Sequence, residues 1–180
     1  MRVILEPAFF NRPALLVGRH LLGKYLVRAA GGREIALPVT ECEVYDGFED
    51  RASHAFRGKT ARNQVMWSDA GRLYVYFVYG MHWMLNVVVG KKDYPAAILI
   101  RAAGAIAGPA RLTAHLKIGG EQNGKLATPA TGVWFEDRGR AVGRGEYRRL
   151  PRVGVSYAGP VWANKKLRFL LKSKTESRTK

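Results

Sequence analysis

Two carboxylates and a phenol continue a strand pattern that begins with apolar side chains. The period of two that a strand imposes predicts one shared face carrying Ile35, Leu37, Val39, Glu41, Glu43 and Tyr45. A carboxylate held at the rim of an apolar pocket has a raised proton affinity and can serve as a general base. A sheet that emerges into solvent at this point gives the same pattern, so the spacing alone leaves both interpretations open.

Three tyrosines within six positions precede a glycine at a predicted chain reversal. Tyr74 and Tyr76 share a strand face, and Tyr79 adjoins Gly80, where the hairpin turns. A tyrosine pair on one strand face is typical of an ordinary core. A tyrosine at a hairpin tip is hard to bury, and in a basic protein it can enter a base stack as a wedge. Tyr76 could then stack on a base that has left the helix.

Polar side chains interrupt two otherwise apolar strands. Asn86 stands within the run 83–89, and its buried amide requires a partner or a ligand. Arg101 follows the apolar run 97–100, which accommodates a guanidinium only beside a carboxylate. Glu41 and Glu43 are the natural candidates for that carboxylate.

The charge balance predicts a polyanionic partner. The 180 residues include 30 Lys and Arg against 14 Asp and Glu, a formal net charge of +16. Like charges crowded on a compact body repel one another, and phosphate backbones are the commonest compensating partner. His54 lies in a loop whose bases Arg57, Lys59 and Arg62 are suited to phosphate contact. A basic surface tuned only for solubility is the plainer alternative.

Composition also excludes several classes of protein. The single cysteine, Cys42, rules out an intrachain disulfide and a multi-cysteine zinc site. No apolar run approaches the roughly 20 residues of a membrane helix, and the N-terminal stretch is unlike a signal peptide. We therefore expect a soluble intracellular protein without membrane contact, and a monomer by default.

An acidic cluster between Glu41 and Asp50 holds five of the fourteen acids. Acids near phosphates suggest chemistry or a metal at that place. One interpretation of this cluster is a Mg²⁺- or Mn²⁺-dependent nuclease with the ligands Glu41, Glu43, Asp46, Asp50 and His54. Another interpretation of the sequence is a non-catalytic basic module that binds RNA or DNA by stacking tyrosines on single strands.

The predicted elements describe one mixed α/β (α+β) domain. A helix is expected from about Ala14, a hairpin around Gly31–Gly32, a second hairpin around Gly80, a strand over 96–102 and a helix over 108–118. The segment 46–69 shows no period and is expected to be a long functional loop. We predict a curved, mostly antiparallel sheet with flanking helices and a protruding β-hairpin over residues 1–172. Residues 173–180 are predicted to form a disordered basic tail.

The motifs, in their order and spacing, resemble the alkyladenine (3-methyladenine) DNA glycosylase family. The resemblance rests on the segments 41–45, 53–60 and 74–81, followed by Asn86 and Arg101. Later blocks at 108–112 and 152–159 are similar too, and the match extends from about residue 15 to about 169. Positions that depart from the family's usual residues are Cys42, Val44, Ala61 and Trp67, of which Val44 and Trp67 could reshape the pocket.

The resemblance implies a monofunctional glycosylase that removes alkylated or deaminated purines from duplex DNA without a cofactor or metal. It implies that Tyr79 fills the gap in the base stack and that Tyr45 and Tyr76 sandwich the flipped base. His54 would lie beside that base, and Asn86 would reject undamaged guanine by crowding its exocyclic amine. Glu43 would activate the attacking water, and Arg101 would help to position both.

Overall fold

A computed structural model describes residues 1–173 of the chain. The strands are β1 Val3–Ile4, β2 Tyr25–Ala30, β3 Arg33–Asp46, β4 Leu73–Val78, β5 His82–Val88, β6 Ala96–Ala103, β7 Ile106–Ala107, β8 Val133–Asp137, β9 Tyr147–Leu150 and β10 Arg168–Leu171. The α-helices are α1 Pro7–Phe10, α2 Ala14–Leu21, α3 Pro109–His115 and α4 Gly159–Asn164. Short 3-10 turns, among them His54–Arg57 and Gln64–Trp67, occupy the loops.

Strand β3 organises the sheet. Its first half pairs with β2, and its second half pairs with β6 on one side and β10 on the other. The main order is β1-β8-β2-β3-β6-β5-β4, and the strand pairs recorded over residues 1–173 are antiparallel. The segment of β3 that carries Glu43 therefore has a hydrogen-bonded neighbour on both sides, which fixes its backbone.

The side-chain alternation of β3 changes phase near residue 41. The register against β6 shifts between Val39 and Glu41 and again between Glu41 and Cys42. Val39, Cys42 and Val44 consequently all lie in the main core, on the α2 side of the sheet. The prediction of one continuous face from Ile35 to Tyr45 is wrong, because a bulge moves every later side chain to the other face. Glu41, Glu43 and Tyr45 do share a face, opposite that core.

Helix α2 packs directly on the core side of β3. A Cβ at Gly18 would lie 2.7 Å from Cγ2 of Val44, so only glycine permits this approach of helix and strand. The Cys42 thiol donates a hydrogen bond of 3.2 Å to the Gly18 carbonyl. Core packing on one face of β3 thus leaves the opposite face, with its carboxylates, free to build a polar site.

The predicted architecture is confirmed as a single mixed α/β domain around an antiparallel sheet. Both hairpins, the strand over 96–102 and the helices beginning near 14 and 109 are present, with boundaries within a few residues. Within 46–69 the backbone forms 3-10 turns and loops, as expected. The predicted tail lies outside the described residues except for Ser173. Over residues 1–173, no helix has the length and apolarity to cross a membrane.

Candidate active site

A cavity opens on the carboxylate side of β3. Its walls come from the end of β3, from β4 and β5, from the 52–66 loop and from the segment before α4. The lining residues are Tyr45, Ala52, Ser53, His54, Met66, Tyr74, Tyr76, Asn86, Ala97 and Tyr157. All four predicted substrate-binding residues thus line one cavity, and they come from four elements: Tyr45 from β3, His54 from the 52–66 loop, Tyr76 from β4 and Asn86 from β5.

Glu43 lies one hydrogen bond behind this cavity. Its carboxylate is fully buried, and Oε2 accepts a 2.9 Å bond from the hydroxyl of Tyr45, which lines the cavity. Oε1 accepts a 2.8 Å bond from the backbone amide of Val153 and lies 3.4 Å from Nη1 of Arg101. A buried carboxylate is thereby held with a defined orientation.

Opposing influences set the proton affinity of Glu43. Burial raises the pKa of the carboxyl above its ordinary value, because desolvation disfavours the charged form. The charge of Arg101, the Val153 amide and the Tyr45 hydroxyl act in the other direction, and burial outweighs them. A carboxylate with a raised proton affinity is the type of group that accepts a proton from water near neutral pH.

Arg101 lies between the two carboxylates, as the sequence predicts. Its Nε is 3.2 Å from Oε1 of Glu41, in addition to the Glu43 contact. The same oxygen of Glu41 accepts a 2.8 Å bond from Nη1 of Arg168 in β10. The face of β3 opposite α2 therefore carries a connected network of two acids and two guanidinium groups.

Aromatic rings form the wall on the β4 side. The ring centroids of Tyr74 and Tyr76 lie 5.1 Å apart, and His54 meets Tyr76 edge to face at 4.6 Å. Burial and the charge of Glu43 raise the pKa of Tyr76 to about 12, so the ring stays neutral at physiological pH. Withdrawal from water also lowers the pKa of His54, an effect that the nearby Arg62 charge reinforces. A neutral imidazole follows at pH 7, with its Nδ1 2.9 Å from the Tyr74 hydroxyl.

Asn86 is buried in the cavity wall, with 3% of its surface exposed. Its Nδ2 donates to the Tyr74 carbonyl over 3.0 Å, a contact between β5 and β4. This bond, and a longer one of 3.4 Å to the Met84 carbonyl, fix the side-chain amide in the cavity wall. The polar residue that interrupts an apolar strand is thus a fixed part of the cavity.

The hairpin tip carries an exposed tyrosine in a strained backbone conformation. Tyr79 has φ +53°, in the left-handed region, and is 85% exposed. Burial raises the pKa of Tyr157, and the Tyr79 phenol acts in the same direction. Tyr79 directly follows β4, whose Tyr76 lines the cavity three residues earlier, so the tip extends from the cavity wall.

The three basic residues that are predicted to bind phosphate are exposed but differ in their contacts. Arg62 donates a 2.9 Å bond to the Phe77 carbonyl, and its guanidinium carbon lies 5.7 Å from the Tyr76 ring centroid. Lys59 lies 6.0 Å from the Trp67 ring. Arg57 closes the 3-10 turn that begins at His54 and lines a neighbouring cleft. Arg62 therefore braces the cavity wall in the free protein.

The acidic cluster is divided among separate partners. Asp50 is bound by Arg152, and Glu41 and Glu43 contact Arg101. Among the residues the structure describes, no group of three or more His, Cys, Asp or Glu side chains is arranged to hold a metal ion. The five ligands of the nuclease alternative are thus not gathered at a single centre.

Sequence reasoning missed several parts of the site. Tyr157 lines the cavity, Val153 binds Glu43 through its amide, and the buried Asp50–Arg152 pair lies beside Tyr45. The block 152–159, which holds Val153 and Tyr157, is the only sequence signal for these two residues. Nothing in that block indicates which of its groups contacts the carboxylates.

Comparisons with known proteins find a matching family and similar chains. A family model described as methylpurine-DNA glycosylase matches residues 8–107. A protein of Methanocella arvoryzae is 39% identical, with 87% of this chain and 86% of the relative covered. Relatives from Anaeromyxobacter dehalogenans and Streptomyces avermitilis are 40% and 39% identical and cover 93% and 89% of this chain, and 83% and 85% of themselves. Each of the three carries the name "Putative 3-methyladenine DNA glycosylase".

Proposed function

Because the chain belongs to the methylpurine-DNA glycosylase family, we propose that it flips a damaged purine out of duplex DNA and hydrolyses its N-glycosidic bond. Family membership makes it a DNA glycosylase of base excision repair. The flipping step, the class of purine and the roles of individual residues are our proposal. We also propose that the protein acts as a monomer and that its substrates are alkylated or deaminated purines.

The cavity supplies the contacts that a flipped purine needs. Tyr45 and Tyr76 would stack on the two faces of the base, and His54 would lie along its edge. Aromatic faces attract a base made cationic by alkylation at N3 or N7. Asn86 would occupy the space that the exocyclic amine of guanine requires, and so exclude the undamaged base.

Tyr79 would fill the gap that the flipped nucleotide leaves. Unstacking a base costs on the order of a few kcal/mol, least for a weakly paired lesion. An exposed aromatic ring on a tight turn replaces the lost stacking without reorganising the protein. The basic residues Arg57, Lys59 and Arg62 would contact the DNA backbone phosphates on either side of the flipped nucleotide. Such contacts position the duplex without reading its sequence.

Glu43 would act as the general base. A water oxygen attacks C1′ of the sugar, its proton passes to Glu43, and the C1′–N bond breaks with its electron pair leaving on the purine. A purine made cationic by alkylation leaves as a neutral molecule, whereas a deaminated purine would also take up a proton from water as it leaves. Positive charge develops on the sugar in the transition state, and the carboxylate stabilises it. Arg101 contacts both acids and would hold the carboxylate and the water in position. The scheme uses neither a lysine nucleophile nor a cofactor, so an abasic site in an intact strand is the product.

One observation carries this proposal: the fully buried Glu43 is hydrogen-bonded to Tyr45, which itself lines an aromatic cavity, and the exposed Tyr79 directly follows the β4 wall of that cavity. A base-stacking surface and a proton acceptor are thereby joined through a single contact. A surface built only for binding single strands has no use for a buried carboxylate behind its stacking rings.

Release of free base from DNA is the decisive test. The protein is incubated with methylated duplex DNA in EDTA, and the soluble bases and the alkali-labile sites are both quantified. We expect modified purine in solution and strand breaks only after alkali. Breaks without base release, or activity lost in EDTA, would support the nuclease alternative. Binding without either product would support the non-catalytic module.

A further inference from the structure

Asp50 and Arg152 form an ion pair whose two side chains have no exposed surface. The guanidinium spans both oxygens of the carboxylate: Nη1 lies 2.5 Å from Oδ2 and Nη2 lies 2.8 Å from Oδ1. Asp50 also accepts bonds from the backbone amides of Asp46 and Ala52. The pair therefore ties the segment before α4 to the turn that follows β3.

Arg152 contacts strand β3 as well. Its Nη1 donates a 2.9 Å bond to the carbonyl of Val44, the residue between Glu43 and Tyr45. The guanidinium carbon lies 4.7 Å from the centroid of the Tyr45 ring. The next residue along the chain, Val153, gives its amide to Glu43 over 2.8 Å. Arg152 and its neighbour Val153 together thus contact three successive residues of β3, Glu43 to Tyr45.

We infer that Arg152, held by Asp50, is a positioning residue that keeps the Val153 amide on Glu43 and the Tyr45 ring against the cavity. Val153 lies 110 positions from Glu43 in sequence, so its amide reaches the carboxylate only if this distant segment is fastened to β3. This inference rests on the proposed function, because it concerns how the proposed base is oriented.

Stability alone does not account for such a pair. Desolvating two charges costs about as much as their attraction returns, and an apolar pair of similar volume is often at least as stable. The planar guanidinium, however, fixes direction at several acceptors at once, which neither an apolar side chain nor an ammonium group does. Orientation of the Val153 amide and the Tyr45 ring is the property that this geometry supplies.

Loss of this positioning would change the pKa of Glu43, which depends on the groups that face its carboxyl. They are Glu41 and Tyr45 of β3, Tyr76 of β4, Arg101 of β6, and Arg152, Val153 and Tyr157 of the C-terminal segment. The Val153 amide stabilises the ionised carboxylate, so losing that bond raises the pKa of Glu43 further. A base with a higher pKa is protonated, and therefore inactive, over a wider range of acidic pH.

Arg152→Lys provides the test, because it keeps the charge and removes the planar fork. Excision from methylated duplex DNA is measured under single-turnover conditions from pH 5 to pH 9. Misplacement by a fraction of an ångström to one ångström slows an enzyme by roughly 10- to 100-fold. We expect a loss of this order at pH 7, with the acidic limb displaced to higher pH and part of the rate recovered in alkali.

Arg138→Lys is the matched control. Arg138 also pairs with a buried carboxylate, Glu136, at 2.9 Å, and also lies over a tyrosine, Tyr25, at 4.3 Å. Neither partner lines the cavity. We expect the control to alter thermal stability without moving the pH profile.

A folded Arg152→Lys protein whose rate falls equally at every pH, or does not fall, would overturn the inference while leaving the proposed function intact. If this variant does not fold, Asp50→Glu, which keeps the charge but lengthens the reach, is measured in the same way. An unmoved acidic limb there again counts against the inference. Absence of base release by the wild-type protein would instead refute the proposed function itself.

Discussion

The hydroxyl of Tyr45 donates a 2.9 Å hydrogen bond to Oε2 of Glu43, two residues earlier on the same face of β3. The ring that would stack on the base and the carboxylate that would accept the proton are thus parts of a single unit. Under the proposed function, a base that docks on Tyr45 would contact the ring whose hydroxyl also lowers the proton affinity of Glu43.

Tyr45→Phe should therefore separate recognition from proton transfer. The phenylalanine ring preserves stacking, so affinity for lesion-containing DNA should change less than about threefold. Loss of a bond to the ionised form raises the pKa of Glu43, and the acidic limb of the excision rate should move to higher pH. Tyr74→Phe, which removes a cavity hydroxyl bonded to His54 instead, is the control. Equal displacement of both profiles would contradict this link.

Glu43→Gln should slow excision strongly and spare binding. General-base catalysis contributes typically 10²- to 10⁴-fold, and the amide cannot accept the proton of water. In the wild-type protein the rate should fall as the pH drops below the raised pKa of Glu43, because the acid form is inactive. The residual rate of the variant should show no such limb. Titration of both proteins with lesion DNA measures binding, and rapid-quench assays measure excision separately.

The sequence correctly predicted that Glu41, Glu43 and Tyr45 share one face of β3. Its prediction that Val39 lies on the same face is wrong. Strand alternation holds as long as pairing is regular, and it gave the correct order of these three side chains. The bulge at Glu41 depends on how β3 meets β6, about sixty positions later in the chain. No local pattern reports such a register shift, so Val39 was placed on the wrong face.

The sequence also did not reveal every partner that lies far away along the chain from the carboxylates. Arg101 was predictable as a partner of Glu43 because a guanidinium at the end of an apolar strand needs an acid. Arg152 gives no such indication, since it stands in a polar stretch rich in arginine. Its bond to Asp50 spans 102 positions and becomes visible only when the chain is folded.

Asn86→Ala should relax discrimination against undamaged guanine. The substitution opens space in the cavity wall where the exocyclic amine would otherwise clash. Release of guanine from unmodified DNA should rise by roughly 10-fold, in line with what one small group in a pocket contributes. Excision of hypoxanthine, which lacks that amine, is the internal control and should change much less. A parallel loss on both substrates, with a lower melting temperature, would indicate a structural defect instead.

Glu136 should make the fold sensitive to acid independently of the site. Burial alone would raise the pKa of this carboxyl, but hydrogen bonds from Arg2, Trp134 and Arg138 outweigh it and lower the pKa from 4.5 to about 2. The stabilisation is present above the unfolded-state value and is lost as the pH falls toward 2. Glu136→Gln should reduce the free energy of unfolding at pH 7 by about 1–3 kcal/mol, with the difference shrinking in acid. Urea titrations at pH 7 and pH 3 measure both numbers.

Tyr79→Ser should weaken capture of flipped lesions without destabilising the protein. The ring is 85% exposed, so its removal costs no core packing, while a left-handed φ of +53° is already tolerated at this turn. Without the ring, the vacated stack stays empty and the flipped state closes more readily. Lesion affinity should drop by roughly 10-fold, a value within the 1–3 kcal/mol that one base–aromatic stack contributes.

Met81→Ser tests whether this effect belongs to the Tyr79 ring or to the hairpin tip as a whole. Met81 is 66% exposed, in the same turn as Tyr79. Affinities are measured by fluorescence anisotropy on duplexes with and without a lesion, for both variants and the wild-type protein. A loss confined to Tyr79→Ser and to lesion duplexes is the expected result. Unchanged lesion affinity in Tyr79→Ser, or an equal loss in both variants, would remove Tyr79 from the role of wedge.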